Sequence, residues 1–113
     1  MDNELIITIG DKEFHFKLQS QKIVTLEKIF GKNIFEIFQT LSFSSVQRIF
    51  WESLQNKDVV TDANEMMDIL LTKYSLIDLA NNDLQELAIK SGIIKKSDVD
   101  EASEESLEEL KND

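Results

Sequence analysis

The sequence predicts an α+β domain in which an N-terminal β-hairpin is packed against about five short α-helices, with an acidic, flexible C-terminal tail. Three observations support this prediction. Two alternating apolar runs flank a glycine near the start of the chain, and apolar residues then recur at helical spacing. Near the end, acidic and polar residues replace the apolar ones. We therefore expect one globular α+β domain over residues 1–94 and a tail over residues 95–113.

The first element is a hairpin formed by residues 4–9 and 13–18, with Gly10 in the turn. The second run alternates apolar and polar side chains, so that one face of the strand is apolar. That face carries Phe14, Phe16 and Leu18. An isolated hairpin is marginally stable in water, so the helices that follow must cover this face.

Most of the expected core lies in residues 26–55, which hold five of the seven phenylalanines and the only tryptophan. A first helix over about 21–30 should end at Gly31, because glycine readily adopts the left-handed conformation that closes a helix. The second helix, over 33–41, is apolar around most of its circumference, which predicts a central, buried position. The side chains expected inside this stretch are Phe30, Ile34, Phe38 and Phe50.

Three more helices follow, and polar residues mark where each begins. Ser42 or Ser44 should cap the third helix, which ends near residue 54. Asp62 precedes the fourth helix, with Glu65 three residues later, which is an N-terminal capping pattern. Ser75 begins the fifth helix in the same way, and the pair Ser91 and Gly92 should end it.

Charge is concentrated at the end of the chain. The formal net charge is −10, and residues 98–113 hold eight acidic residues against the single base Lys111, a net charge of −7. The preceding 97 residues carry 14 acids and 11 bases. Nucleic-acid backbones are bound through clustered lysine and arginine, and this chain has one arginine and scattered lysines. We therefore expect no nucleic-acid partner.

The composition also bears on the compartment. The chain has no cysteine, which is typical of proteins in a reducing environment. The start of the sequence is acidic and lacks the pattern of a signal peptide. Membrane spans need about 20 consecutive apolar residues, and no run approaches that length. These features predict a cytosolic protein without a membrane partner.

Residue types that support catalysis are sparse, and we expect neither an enzyme nor a cofactor. His15 is the only histidine, and it lies on the polar face of a predicted strand without a second histidine or a cysteine nearby in sequence. The acidic run after Asp98 superficially suggests calcium ligands. An EF-hand loop starting there would need an oxygen ligand and a glycine where Ala102 and Ser103 stand.

Protein binding is the remaining function class, and five residues are candidate contacts. Phe35, Phe43 and Trp51 are either core residues or exposed anchors, since interfaces are enriched in aromatic side chains. The sequence leaves both readings open. In the tail, Leu107 and Leu110 could line one side of a helix if a partner supplied a surface. Without that surface, the composition of the tail is typical of disorder.

Several short motifs in order resemble a known family. They are the opening hairpin over 7–14, Leu26-Glu27 followed by Phe30-Gly31-Lys32-Asn33-Ile34, Val46 with Phe50-Trp51-x-x-Leu54, and Ser91-Gly92-Ile93. Together they resemble the tail assembly chaperones of long-tailed bacteriophages and prophages, in the group that includes the gene-transfer-agent type. The resemblance covers about residues 5–94, and the acidic tail has no motif to match.

The resemblance implies a function without catalysis. Such chaperones bind the long, helix-rich tape measure protein, keep it soluble and help to recruit tail tube protein subunits that polymerise around it. It also implies a protein of the host bacterial cytoplasm that is not expected in the mature virion. An alternative is another small acidic phage or bacterial adaptor, or an inhibitor that binds a protein by charge mimicry. The oligomeric state is not indicated.

Overall fold

The structure is a computed structural model that describes residues 3–95. It confirms the predicted α+β class, an antiparallel hairpin followed by five helices. The hairpin strands are β1 (Leu5–Ile9) and β2 (Lys12–Phe16). The first four helices are α1 (Ser20–Phe30), α2 (Ile34–Gln39), α3 (Phe43–Ser53) and α4 (Ala63–Lys73), with a 3-10 turn at Lys57–Val59. The predicted tail lies outside the described residues, apart from Lys95.

The fifth helix, α5, spans residues 76–90 in three consecutive stretches. An α-helical turn, Leu76–Asp78, leads into a π-helical stretch, Leu79–Asp83, and an α-helical segment, Leu84–Lys90, completes the helix. Three of its leucines, at positions 79, 84 and 87, are fully buried. This helix therefore contributes one side to the core and leaves another side for the groove described below.

The hairpin forms as the alternation predicts. A two-residue turn connects the strands, since Ile9 pairs with Lys12, and Gly10 adopts a φ of 62° at the first turn position, as type II′ turns require. The chain after α3 runs beside the outer edge of β2. There the Lys17 N–H donates to the Ser53 carbonyl at 2.8 Å, and the Gln55 N–H donates to the His15 carbonyl at 2.8 Å. This pairing covers an edge that would otherwise be open.

The core lies between the apolar face of the hairpin and the helices. Phe14 and Phe16 are completely buried, and the ring of Phe16 meets the ring of Phe50 edge-on, with 5.0 Å between the centroids. Helices α1, α4 and α5 add further fully buried side chains, among them Leu26, Met66, Met67, Leu70 and Leu84. Helices thus cover the apolar face of the hairpin, as expected for a hairpin that is only marginally stable in isolation.

Two expectations about the core are wrong. Residues 26–55 supply only seven of the twenty buried hydrophobic side chains in the described part of the chain, and α2 is a surface helix rather than the central one. Ile34 and Ile37 are buried, but Phe35 is 58% exposed and Phe38 is only half-buried. With six residues, this helix turns a single side to the core, so its other apolar residues remain at the surface. Phe30, also expected inside, is half-buried as well, whereas the fully buried Phe50 confirms its prediction.

The predicted helix boundaries are supported by hydrogen bonds. Gly31 ends α1 with a φ of 64°, and its N–H donates to the Glu27 carbonyl at 2.8 Å. Ser42 caps α3 in a capping box with Ser45. Asp62 accepts the Glu65 N–H at 2.8 Å at the start of α4. The Ser75 hydroxyl accepts an N–H in the first turn of α5. These helices therefore begin and end where local chemistry favours it.

Two phenylalanines of α3 test where the core lies. Replacing the fully buried Phe50 by alanine should lower the free energy of unfolding by about 3–5 kcal/mol, since it removes transfer energy and leaves a cavity. Phe43, which is 45% exposed at the start of the same helix, is the matched control. Phe43→Ala should change the free energy of unfolding by about 1 kcal/mol or less. Urea denaturation measures both, and equal losses would contradict this placement of the core.

Candidate protein-binding groove

A shallow, open groove lies between α2 and α5, with a volume of about 320 Å³. We call it the α2–α5 groove. Its lining is mostly apolar and includes both helices and the segment after α5. The lining residues are Phe35, Phe38, Gln39, Leu41, Ala80, Asn81, Gln85, Ala88, Ile93 and Ile94. The groove is therefore a concave apolar surface open to solvent rather than an internal cavity.

Helix α2 is held in place from its N-terminus. The Glu27 carboxylate, on α1, accepts the Ile34 N–H at 2.8 Å, and Asn33 Oδ1 accepts the Glu36 N–H at 2.9 Å. These two acceptors satisfy backbone donors that the short helix cannot satisfy itself. Because Ile34 and Ile37 face the core, Phe35, one position further around the helix, is presented to the groove.

Helix α5 supplies the opposite wall. Its π-helical stretch includes Ala80 and Asn81, and its final α-helical segment includes Gln85 and Ala88. The two alanines line the groove with short side chains, which leaves space above them. π-Helical stretches within α-helices are frequent at functional sites, where they alter the position of neighbouring side chains. The irregular part of α5 therefore coincides with one wall of the groove.

The end of the groove is a tightly bonded turn after α5. Gly92 has a φ of 81°, its N–H donates to the Ile89 carbonyl at 3.1 Å, and the Ile93 N–H donates to the Ala88 carbonyl at 2.9 Å. This pair of hydrogen bonds is a Schellman motif. The Ser91 hydroxyl also accepts the Leu18 N–H at 3.1 Å, which ties the turn to the end of the hairpin. These hydrogen bonds fix the position of Ile93, which is one of the groove-lining residues.

The chemistry of the groove favours binding over catalysis. Among the described residues that line it, the polar side chains are the uncharged amides of Gln39, Asn81 and Gln85. An amide can exchange hydrogen bonds with a bound chain, but it supplies neither a general base nor a nucleophile. The lining thus fits an apolar segment of a partner, with a few hydrogen bonds at the rim.

The structure separates the aromatic candidates instead of uniting them. Phe35 lines the groove and is 58% exposed, which supports its role as a contact. Phe43 is exposed, but it is not among the described lining residues, and neither is Trp51. Trp51 is half-buried against the core, with Lys57 Nζ 5.2 Å from its ring centroid. Leu107 and Leu110 lie outside the described residues.

Sequence reasoning missed most of the groove. It assigned Phe38 to the interior, and it did not single out the two alanines of α5, Ala80 and Ala88, as groove-lining residues. One signal was present: these alanines stand eight residues apart on the apolar side of α5, where small side chains leave room beside a neighbouring helix. That signal does not reveal which helix lies opposite, so the groove itself could not be inferred from it.

His15 is paired with two glutamate carboxylates. Its Nδ1 lies 3.1 Å from a Glu4 carboxylate oxygen, and its Nε2 lies 3.0 Å from one of Glu13. The side chain is partly exposed on the polar face of the hairpin, as the alternation predicts. Within residues 3–95, no group of three or more histidine, cysteine, aspartate or glutamate side chains is arranged to hold a metal ion.

Comparison with known proteins adds no relative. No protein family, curated protein or solved structure matches this chain. The resemblance to tail assembly chaperones therefore depends on the quoted motifs alone. In the part of the chain that the structure describes, no helix is long and apolar enough to cross a membrane.

Asp83, in the π-helical stretch of α5, makes the stability of the fold depend on pH. Burial raises the pKa of the Asp83 carboxyl, and the nearby charges of Glu86 and Asp78 raise it further. A carboxyl whose pKa is higher in the folded state favours folding only while protonated. Its contribution is complete below the unfolded pKa of about 3.9 and is lost as the pH rises through the folded pKa.

Asp83→Asn should therefore stabilise the protein at neutral pH, because it removes a partly desolvated charge. We expect Tm at pH 7 to rise by about 1–3 °C, a modest effect because solvent screens the half-buried group. The gain should vanish below about pH 4. Thermal unfolding followed by circular dichroism at several pH values measures it. Asp68→Asn, at an exposed position of α4, is the control, and an equal gain there would refute the assignment to burial.

Proposed function

We propose that this protein is a tail assembly chaperone of a long-tailed bacteriophage or prophage. It would bind the tape measure protein, keep it soluble and help to recruit tail tube subunits during tail morphogenesis. The observation that carries the proposal is the α2–α5 groove, an exposed apolar surface with Phe35 in its lining. The motif resemblance supplies the identity of the partner.

Physical chemistry supports a helix as the bound element. A common recognition mode lays the apolar face of an amphipathic helix into an apolar groove between helices. Single exposed apolar side chains are normal on a monomer, whereas a contiguous apolar surface is typical of a contact site, and Phe35 belongs to such a surface in the groove. The tape measure protein, as the resemblance describes it, is long and rich in helix. Its helices would therefore expose apolar stripes that must be kept from water until the tail is assembled. The groove can cover one such stripe at a time.

The charge of the chain suits the same role. A formal net charge of −10 on 113 residues opposes self-association and keeps a complex with an apolar partner in solution. The uncharged groove lining lets apolar contact proceed without burying an unpaired charge. Attraction would thus come from the groove and solubility from the charged remainder. The proposed site of action is the host bacterial cytoplasm, and we do not expect the protein in the mature virion.

A second candidate is a small acidic adaptor or charge-mimic inhibitor of another protein. The observation in its favour is the net charge of −7 within residues 98–113. Binding through exposed charges weakens with salt, because the screening length falls from about 10 Å at 0.1 M to about 3 Å at 1 M ionic strength. Apolar groove binding should persist in 1 M salt. Release of the partner at high salt would favour the charge-mimic function over the chaperone.

Co-expression tests the chaperone function directly. The tape measure protein from a neighbouring reading frame should remain soluble and co-elute with this chain. Phe35→Ser should lower the affinity about tenfold or more, since an aromatic anchor that is a binding hot spot contributes about 2 kcal/mol or more. Pull-down of the soluble fraction followed by titration calorimetry measures both effects.

The matched control is Ile77→Ser. Ile77 is 70% exposed on α5, and it is not among the described residues that line the groove. Affinity should be unchanged in this variant, and both variants should keep their free energy of unfolding within about 1 kcal/mol of the parent. An insoluble tape measure protein without a complex would refute the function. Equal losses for both variants would refute the groove as its site.

A further inference from the structure

The chain leaves the described part of the structure at the α2–α5 groove itself. Ile93 and Ile94 line the groove, and Lys95 is the last described residue. The Schellman turn at Gly92 fixes where this exit lies. Eighteen further residues, 96–113, begin directly beside an exposed apolar surface. Any apolar stripe within them is therefore tethered next to a site that could accept it.

The sequence of that segment has the pattern of an amphipathic helix. Ser97 followed by Asp100 is a capping pattern, and the first turn is acidic, which suits a helix N-terminus. At 100° per residue, the apolar and small side chains fall within an arc of about 140°. They are Val99, Ala102, Ser103, Ser106, Leu107 and Leu110. Seven acidic residues between positions 98 and 109 fall on the other side.

Such a helix needs a surface to pack on. Its acidic residues repeat at i, i+4, as in Asp100, Glu104 and Glu108, and like charges at this spacing destabilise a helix. A helix of this length is marginal in water even without repulsion. The sequence alone offers no surface for it, whereas the structure places one beside Ile94.

We propose that residues 98–110 are a tethered ligand of the α2–α5 groove, with Leu107 and Leu110 directed into it. The connection from the end of α5 at Lys90 to residue 98 is seven residues, 91–97, which is within the ordinary length of connections between packed helices. The described groove lining is uncharged, so the segment can dock its apolar side without opposing charge and keep its acidic side in water. A short tether also gives a high effective concentration, in the millimolar range, which favours docking over free solution.

This inference deepens the proposed function and rests on it in one respect, that the groove accepts a helix. It replaces the expectation of a flexible tail by a tail that the domain itself binds. A partner helix must then displace residues 98–110. Its apparent affinity is therefore reduced in proportion to the fraction of molecules in which the groove is open. The acidic segment would thus keep the apolar groove covered until a longer or more apolar helix competes for it.

A nitroxide label tests the docking in the intact chain. The protein has no cysteine, so Glu108→Cys on the acidic side of the segment accepts a single label. Paramagnetic relaxation measured by NMR should selectively weaken the amide signals of Phe35, Leu41 and Ile93. The signal of Gly10 in the hairpin turn should keep its intensity. Uniform weakening, or weakening confined to another surface, would overturn the proposal.

Three further samples make the test specific. Leu107→Ser/Leu110→Ser in the labelled chain should abolish the loss of groove signals, and Leu107→Met/Leu110→Met should restore it. Persistence of the loss in the serine variant would overturn the proposal. The third sample mixes chain that carries the nitroxide at natural isotope abundance with ¹⁵N-enriched chain that carries no nitroxide. In this mixture all groove signals should keep their intensity. Loss in the mixed sample would show that a second copy occupies the groove instead.

The outcomes separate this inference from the proposed function, because the NMR experiment uses the free protein. Selective weakening at the groove, together with failed capture of the tape measure protein, would retain the tethered ligand and reject the chaperone. Capture of the tape measure protein without any weakening at the groove would retain the chaperone and reject the tethered ligand.

Discussion

The fold depends on covering the apolar face of a two-stranded sheet. A hairpin of this size is marginally stable at best alone in water, and here helices cover its fully buried residues Phe14 and Phe16. Phe50 of α3 contacts Phe16 directly, with 5.0 Å between the ring centroids. The chain leaving α3 then bonds to the edge of β2 through Gln55 and Ser53. Side-chain packing and backbone pairing thus join the same two elements.

The groove is formed by apolar residues that this packing leaves at the surface. Helix α2 contributes Ile34 and Ile37 to the core, and six residues are too few to bury a second apolar side. Phe35 therefore remains in water, where its exposure costs free energy unless another surface covers it. Helix α5 faces it with alanines rather than leucines. The groove arises from this difference in side-chain size between the two walls.

Charge and apolar surface are divided along the chain. The folded domain carries the uncharged groove, and most of the negative charge lies after residue 97. The proposed function would need both properties, with no charge placed in the contact. Docking of residues 98–110 would join the two, because the acidic side of that segment would stay in water while its apolar side covers the groove.

Local chemistry in the sequence determined the hairpin, the glycine at the end of α1 and the polar residues that begin the helices. Each depends on period-two alternation or on a single backbone conformation, which neighbouring residues alone can specify. Tertiary structure decided that α2 lies at the surface and that Phe35 lines the same groove as Ala80 and Ala88. It also separated Phe35 from Trp51, although both are aromatic residues of the same stretch. Those outcomes depend on which helices become neighbours and how much area each one buries, and an apolar pattern does not contain that information.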